Sequence, residues 1–207
     1  MKSYMTVLDE ATFSHVIERS EFIGRVYRIA DSDDALRRIK ECMVTYPQAT
    51  HYCYAYVLGE NASEQKMSDN GEPQGTAGVP ILDVIKRRGL TYTLVVVIRY
   101  FGGIKLGAGG LVRAYSDTAA RALDAAVVVN YAEAVTVETA MSYTVYPVWD
   151  RGSKPGERID VVYGEDVRVV TAVRSEDYGE YLTRTMDLTG GRATTVELER
   201  GYYSFKE

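Results

Sequence analysis

The sequence contains few of the residues that form disulfides or bind metals. Two cysteines, Cys42 and Cys53, occur among the 207 residues, and this number does not imply a disulfide framework. The two histidines, His15 and His51, are far apart in the chain, and His51 with Cys53 alone does not make a metal site. We therefore predict neither a metal centre nor a bound cofactor.

Long apolar runs are absent as well. The longest one, Leu94-Val95-Val96-Val97-Ile98, is much shorter than the roughly 18–20 apolar residues of a membrane-spanning helix. The first residues, Met1-Lys2-Ser3-Tyr4, lack the apolar core of a signal peptide. Together these features predict a cytoplasmic protein with no membrane partner.

Positive charge is not in excess either, since the formal net charge is −5. Residues 1–130 contain 15 Lys and Arg and 15 Asp and Glu, whereas residues 131–207 contain 9 and 14. Contacts with phosphates depend on clustered Lys and Arg, so the overall charge argues against a dedicated nucleic-acid binder. A local basic surface on the neutral N-terminal part is still compatible with this composition.

Glycine, in contrast, is dense in two segments that each lead into an amphipathic helix. We name them the first glycine segment (residues 68–78) and the second glycine segment (residues 99–115). The second has five glycines from Gly102 to Gly110. An ordered glycine surrenders more chain entropy than any other residue, so three reasons for its presence are considered: a positive φ, close packing, or a closely approaching ligand.

A glycine-rich loop before a helix presents backbone N–H groups to an anion, and the helix dipole favours negative charge there. Neither segment has the Gly-Lys-Ser/Thr ending of a phosphate-binding P-loop, and neither matches the dinucleotide-binding pattern. The sequence is therefore compatible both with an anion site and with tight turns that pack helices onto a sheet.

Charged residues flank both segments and would form a mixed-charge groove if the segments meet at one edge of a sheet. Alternatively, Arg99 and Arg113 pair with the acids of the first segment and only hold the loops in place. The run Lys86-Arg87-Arg88 is typical of a solvated helix end, although it could also touch phosphates. The predicted ligand-binding residues are Asp69, Glu72, Gly75, Thr76, Arg99, Gly102, Gly103, Lys105, Gly109, Gly110 and Arg113.

No residue is predicted to be catalytic. Cys53 lies between two tyrosines of a predicted strand, which is the pattern of a core thiol. Asp69 and Glu72 are a possible carboxylate pair that lacks a third catalytic group. The tyrosines of residues 52–56 share one strand face, where they either stack with bases or pack beneath helices.

Hydrophobic periodicity predicts a layered domain of strands and helices, followed by a smaller one. The unbroken apolar run within residues 90–100 indicates a strand buried on both faces. The predicted domains are residues 1–128 and residues 132–207. Strands are predicted over 22–29, 51–59, 90–100, 132–146, 159–163, 167–173 and 193–198, helices over 31–47, 76–89, 111–126 and 175–190, and a long loop over 60–74. Thr76 is predicted to cap the second helix.

Four motifs resemble the Impact/YigZ family. They are Ser20-Glu21-Phe22-Ile23, Ala49-Thr50-His51, the first glycine segment through Pro80, and residues 97–115. The resemblance is most specific over residues 15–125. It differs at Asp69-Asn70, where the family has two acids after the loop serine.

The resemblance implies an α+β protein of two domains. The N-terminal domain would be like domain IV of elongation factor G and the second domain of a small-subunit ribosomal protein, and the C-terminal domain would be ferredoxin-like. In a ferredoxin-like domain the first helix would fall at residues 147–156, which are poor helix formers, so we expect it to be short or distorted.

The resemblance also implies a role in translation. We predict a non-enzymatic binding protein whose partner is RNA, the ribosome or a translation-regulating protein. The alternative is a hydrolase that acts on a phosphorylated or peptide substrate at the groove. The sequence leaves the oligomeric state open.

Overall fold

A computed structural model of the chain describes residues 3–205. In this part of the chain, two antiparallel sheets and five helices form a mixed α+β protein. The chain divides into two compact units, Tyr4–Val129 and the residues from Asn130 onward. Within residues 3–205 no helix has the length and apolar character needed to cross a membrane.

The first unit is built on a sheet with the strand order β2-β3-β6-β4-β5. Its elements are β1 (Ser3–Val7), β2 (Ala11–Ile17), β3 (Ser20–Arg28), α1 (Ser32–Thr45), β4 (His51–Leu58), β5 (Glu64–Ser68), α2 (Gly78–Arg87), β6 (Thr93–Tyr100) and α3 (Gly107–Asp124).

The central strand β6 is buried on both faces, as its apolar run predicts. Val95 and Val97 belong to the core that includes residues of α2 and α3. Val96 and Ile98 belong to the core on the side of α1. Because side chains alternate along a strand, one apolar run serves both layers.

Helix α1 begins as the sequence predicts, with the Asp31 side chain accepting a hydrogen bond from the Asp34 N–H at 2.8 Å. The tyrosines of β4 face this helix. Tyr56 is fully buried, and Tyr52 and Tyr54 pack against the same core. These three rings therefore pack in the sheet layer beneath α1.

Helices α2 and α3 pack side by side on the other face of the sheet and run in the same direction. The C-terminal end of α2 lies against the C-terminal part of α3, where Arg88 donates to the Ala120 carbonyl at 2.9 Å and to Asp124 at 2.6 Å. The loop before α2 lies against the N-terminal half of α3, where Tyr115 donates to Glu72 at 2.7 Å. Both helix N-termini therefore point toward one end of the sheet.

Several sequence predictions for this unit are wrong in detail. The predicted loop over 60–74 contains β5, an exposed edge strand without the apolar alternation that would have indicated it. Helix α3 begins at Gly107, four residues earlier than predicted, so three glycines of the second segment are helical. Strands β1 and β2 were not predicted from the sequence.

The predicted cap of α2 is also wrong. The helix begins at Gly78 without a side-chain cap from its N-cap residue, Ala77. The Thr76 hydroxyl donates instead to the Pro73 carbonyl at 2.6 Å. Thr76 therefore closes the preceding turn and leaves the helix N-terminus to another residue.

The second unit follows the order strand, helix, strand, strand, helix, strand. Its strands are neighbours in the order β10-β7-β9-β8 and are all antiparallel. The elements are β7 (Val128–Met141), α4 (Tyr146–Arg151), β8 (Glu157–Tyr163), β9 (Val167–Arg174), α5 (Tyr178–Thr189) and β10 (Thr194–Phe205).

The two helices of this unit end as their sequences suggest. Helix α4 has six residues, in agreement with the poor helix formers at this place, and the Lys154 ammonium donates to the Trp149 carbonyl near its end at 2.7 Å. Helix α5 ends at Gly190, which adopts the left-handed conformation with a φ of 59°. The predicted stop at Gly190-Gly191 is confirmed.

Candidate functional site

Strand register places three side chains side by side at one end of the first sheet. Arg99 of β6 is paired with Phe22 of β3 on one side and with His51 of β4 on the other. Paired residues point to the same face of a sheet, and here it is the face covered by α2 and α3. Both glycine segments lead to this end of the sheet.

A buried ion pair joins the two segments. Arg99 Nη1 donates to Glu72 Oε1 at 2.6 Å, and the two side chains are 5% and 4% exposed. The Tyr115 hydroxyl donates to the same carboxylate oxygen at 2.7 Å. Arg99 Nη2 donates to the buried Ser20 hydroxyl at 3.2 Å. The sequence analysis left open whether Arg99 pairs with an acid of the first segment. The structure shows that it does, and that the acid is Glu72.

This ion pair does not use all the polar atoms of its members. Arg99 Nε is buried and has no hydrogen-bond partner within residues 3–205. The guanidinium carbon lies 5.2 Å from the ring centre of Phe22 and 5.3 Å from that of Phe101. The cation is therefore held between two aromatic rings as well as by its carboxylate.

His51 has a defined tautomer when it is neutral. Its Nδ1 lies 2.9 Å from the Asn70 carbonyl oxygen, which only accepts hydrogen bonds, so Nδ1 carries the proton. The other ring nitrogen, Nε2, lies 3.8 Å from Glu72 Oε1. Nε2 is then left to accept a hydrogen bond, whereas a protonated ring would add a second cation beside Glu72.

The first glycine segment folds around the carboxylate of Asp69. This side chain accepts hydrogen bonds from the backbone N–H groups of Gly75, Ala77 and Gly78 at 2.8, 3.0 and 2.8 Å. Partial burial opposes ionisation, but these three donors together outweigh it and hold the pKa of Asp69 below its ordinary value. Asp69 is thus the residue that caps α2.

Cys53 is a core thiol, as predicted. Its Sγ donates to the Asp69 carbonyl at 2.9 Å, and the residue is fully buried. Burial raises the pKa of this thiol to about 12, so it stays protonated near neutral pH.

Asn70 has a positional role. Its side-chain oxygen accepts from the Tyr52 N–H at 2.7 Å, and its own φ is 43°. Asparagine tolerates this left-handed conformation better than most residues do. Asn70 therefore fixes the loop to the start of β4.

The second glycine segment contains one glycine that packing clearly requires. A Cβ at Gly102 would lie 1.9 Å from the Arg19 carbonyl oxygen, so no side chain fits there. The Gly102 N–H also donates to the Ser20 hydroxyl at 3.2 Å. This turn brings the backbone after β6 against the end of the β2–β3 hairpin.

Gly109 has no such reason. It lies in the first turn of α3 without a positive φ, and a Cβ there would meet no atom within 4 Å. The N-cap residue of α3, Leu106, forms no side-chain cap. Within residues 3–205, the first-turn N–H groups of α3 therefore lack the carboxylate that α2 has, and neither a positive φ nor close packing explains Gly109.

An open groove of about 390 Å³ lies between the first segment and the start of α3. Its charged residues are Glu72, Arg99 and Lys105, and since Glu72 is paired with Arg99, the groove carries a net positive charge from Lys105. Phe101 is 45% exposed at this groove. Sequence reasoning missed Phe101, although its place after Arg99 on a predicted strand end could have indicated it.

The predicted site residues are distributed over five places. Glu72, Arg99 and Lys105 line the groove. Asp69, Gly75 and Thr76 form the turn before α2, and Gly102 and Gly103 form the turn after β6. Gly109 and Gly110 are in the first turn of α3. Arg113 lies elsewhere, in a depression between α2 and α3 with Arg87 and Arg88.

The position of Arg113 differs from the expected grouping with Arg99 and Lys105. Because α3 begins at Gly107, Arg113 falls in the second helical turn and outside the groove.

In the part of the chain that the structure describes, no three His, Cys, Asp or Glu residues are arranged to hold a metal ion.

Comparison with known proteins places these features in a family. The model of the Impact N-terminal domain matches residues 18–123, which include both glycine segments and every predicted site residue. The IMPACT family member YvyE of Bacillus subtilis is 37% identical over 204 residues, which are 98% of this chain and 94% of that protein. The chain belongs to the IMPACT family.

Other members of the IMPACT family match a shorter region. YigZ of Escherichia coli is 36% identical over 125 residues, or 59% of this chain and 61% of that protein. An IMPACT family member of Thermus thermophilus is 46% identical over 108 residues, or 52% of this chain and 57% of that protein.

A solved structure described only as that of a hypothetical protein has a similar fold over nearly the full length. Its TM-score is 0.62 at 26% identity, and the match covers 96% of this chain and 98% of that one. The α+β architecture of this IMPACT family member is therefore shared over both units.

Proposed function

We propose that this IMPACT family member binds RNA in the groove where its two glycine segments meet. The observation that carries the proposal is the start of α3, whose first-turn residues Gly107 and Ala108 line the groove beside Lys105 and whose N-cap residue forms no side-chain cap. Gly109 of the same turn has open space around it. A bare backbone at an uncapped helix N-terminus lets a phosphate approach the N–H groups closely.

The other groove residues support the same ligand. Lys105 is exposed and forms no ion pair within residues 3–205, so its ammonium is available to a phosphate. The exposed ring of Phe101 offers a face on which an unpaired base can stack. His51 Nε2 can accept a hydrogen bond from a base or a ribose hydroxyl. Hydrogen-bond donors to a phosphate, placed beside an exposed aromatic ring, are typical of sites that bind single-stranded RNA.

The family resemblance and the architecture support a proposed link to translation. We infer that the first unit corresponds to domain IV of elongation factor G and to the second domain of a small-subunit ribosomal protein. The second unit is inferred to be ferredoxin-like, and its βαββαβ order with neighbours β10-β7-β9-β8 supports this inference.

Exposed apolar residues favour a second candidate, docking of a translation-regulating protein. Phe101, Ile104 and Val112 are exposed along the second segment. The hydrolase alternative has less support, because Asp69 caps α2 and Glu72 is held by Arg99 and Tyr115.

Fluorescence anisotropy with a labelled 12-nucleotide single-stranded RNA tests the proposal. We expect Gly109→Ala to weaken binding, because the added methyl group holds a phosphate away from the N–H groups of α3. Gly179→Ala is the matched control, since Gly179 is also a first-turn helical glycine with no atom within 4 Å of an added Cβ. No RNA binding by the wild type, or equal affinity of both variants and wild type, would contradict the proposal.

A further inference from the structure

Three tyrosine rings meet at the surface of the second unit, where β8 ends and α4 begins. The rings of Tyr143 and Tyr163 are stacked, with ring centres 6.5 Å apart and planes inclined by 26°. Tyr146 meets Tyr163 edge-on, with ring centres 6.2 Å apart. Tyr143 and Tyr163 are 51% and 63% exposed. We call these three rings the tyrosine cluster.

The cluster is held in place although it is exposed. The Tyr143 hydroxyl donates to the Gly164 carbonyl at 3.0 Å, which ties this ring to the turn between β8 and β9. The Tyr146 hydroxyl accepts from Arg158 Nη1 at 3.4 Å, and the same Arg158 atom donates to Asp150 at 2.7 Å. Aromatic rings that are already ordered lose little conformational freedom when a partner binds, so the cluster is prepared for a contact.

Other aromatic rings of this unit already have a cation of the chain beside them. The Lys154 ammonium lies 3.9 Å from the ring centre of Trp149, and the Arg174 guanidinium carbon lies 4.3 Å from that of Phe205. Within residues 3–205, no Lys or Arg lies over a ring of the tyrosine cluster. The electron-rich faces of these exposed rings are therefore left to a cation from outside the chain.

The charges beside the cluster also favour a cation. Glu165 and Asp166 of the β8–β9 turn are exposed and form no ion pair within residues 3–205. Asp150 and Arg158 pair with each other, so together they add no net charge. The two unpaired carboxylates outnumber the one other cation of α4, Arg151, whose Nε donates to a carbonyl of its own helix at 3.0 Å. The surface around the rings is therefore negative.

We propose that the tyrosine cluster binds an arginine side chain from a basic segment of a partner protein. A guanidinium group is planar and stacks on an aromatic face, while its N–H groups donate to carboxylates. The cluster offers both kinds of contact, because the Tyr143 hydroxyl is bonded to the same turn that presents Glu165 and Asp166. This interaction is separate from the proposed binding of RNA by the first unit.

An RNA base would also stack on these rings, but the neighbouring charges oppose it. Every nucleotide carries a phosphate, which Glu165 and Asp166 repel. The groove of the first unit has the opposite sign, because the unpaired charge beside the exposed Phe101 ring is that of Lys105. The two aromatic surfaces therefore suit ligands of opposite charge.

Fluorescence anisotropy with a labelled octa-arginine peptide, at one fixed salt concentration, tests the proposal. We expect Tyr163→Leu, which keeps apolar bulk but removes the ring, to weaken binding by about fivefold. Tyr163→Phe keeps the ring and should bind as the wild type does. The matched control is Tyr202→Leu, because Tyr202 is an exposed tyrosine of β10 in the same unit. Octa-arginine should bind this control with wild-type affinity.

A double variant tests the charges without changing the rings. Glu165→Gln/Asp166→Asn should weaken the binding of octa-arginine more than Asp187→Asn/Glu199→Gln does, although both remove two exposed carboxylates from the second unit. Equal losses in the two double variants would mean that only the overall charge acts, and the proposal would fail.

Three further results would overturn the proposal. They are no binding of octa-arginine by the wild type, an unchanged affinity in Tyr163→Leu, and the same loss in Tyr163→Phe as in Tyr163→Leu. The labelled 12-nucleotide RNA decides between the two kinds of partner. We expect Tyr163→Leu to bind this RNA as the wild type does, and a loss of RNA affinity in that variant would assign the cluster to RNA instead.

Discussion

The two glycine segments lead into parallel helices on the same face of one sheet. Among residues 3–205, only the helix after the first segment has its N-terminal N–H groups capped by a carboxylate. In the first segment the Asp69 carboxylate accepts three backbone N–H groups at the start of α2. In the second segment the start of α3 has no side-chain cap. The same sequence pattern therefore has two structural outcomes: the first segment is a turn closed by its own carboxylate, and the second leads into a helix whose N-cap residue forms no side-chain cap.

The two segments are also joined to each other by a buried ion pair. Glu72 belongs to the first segment, while Arg99 and Tyr115 belong to the second, and all three meet at one buried carboxylate oxygen. The closed segment therefore supports the open one. Breaking this bond tests whether the two segments are a single structural unit.

The largest expected effect comes from Glu72→Ala. This change leaves the Arg99 cation buried without its partner and the Tyr115 hydroxyl without an acceptor. We expect the free energy of unfolding to fall by about 3–5 kcal/mol, as measured by urea denaturation.

The control for this prediction is Lys105→Ala, which changes an exposed charge of the same groove. Its effect on unfolding is expected to stay within about 0.5 kcal/mol. A loss below about 1 kcal/mol for Glu72→Ala would mean that the ion pair does not hold the segments together.

Asp69→Asn should have the next largest effect. Asparagine is uncharged, and its single side-chain oxygen cannot replace a carboxylate that serves three backbone donors. We expect a loss of about 2 kcal/mol in the free energy of unfolding, in the range of a lost N-cap. RNA binding by the refolded variant should change little, because the open segment is left intact.

The pH dependence of stability tests whether the Asp69 carboxylate is the cause of this expected loss. The pKa of Asp69 lies below its ordinary value of 3.8 in the folded state, so its stabilisation is complete above that value. The stabilisation is then lost as the pH falls through the lower folded-state pKa. The difference in unfolding free energy between wild type and Asp69→Asn should therefore shrink below about pH 4, and a constant difference would argue against this assignment.

Much of the fold could be predicted because its elements have strong apolar periodicity. The run in β6 indicates a strand buried on both faces, and Gly190 marks the end of α5. The edge strand β5 escaped prediction because its residues are polar and mostly exposed. Edge strands owe their position to the neighbouring strand, which a local pattern does not reveal.

The site could be predicted only in part, for a related reason. The charges beside the glycines indicate that Glu72, Arg99 and Lys105 are important, but not which of them pair. The pairing of Arg99 with Glu72 and the placement of His51 beside it follow from the register of β4 with β6. Register depends on long-range packing, so periodicity along one segment does not supply it.

The smallest expected effects on the free energy of unfolding come from replacing one glycine in each segment by alanine. The two effects differ in sign. Gly75 of the first segment has a φ of 77°, where an alanine side chain is strained, so Gly75→Ala should destabilise the protein by about 1 kcal/mol. Gly109 of the second segment is helical with open space around it, so Gly109→Ala should stabilise the protein by about 0.5 kcal/mol. Urea denaturation of both variants measures the two changes. A destabilising Gly109→Ala would mean that the protein itself requires this glycine, and the argument that it serves a ligand would then fail.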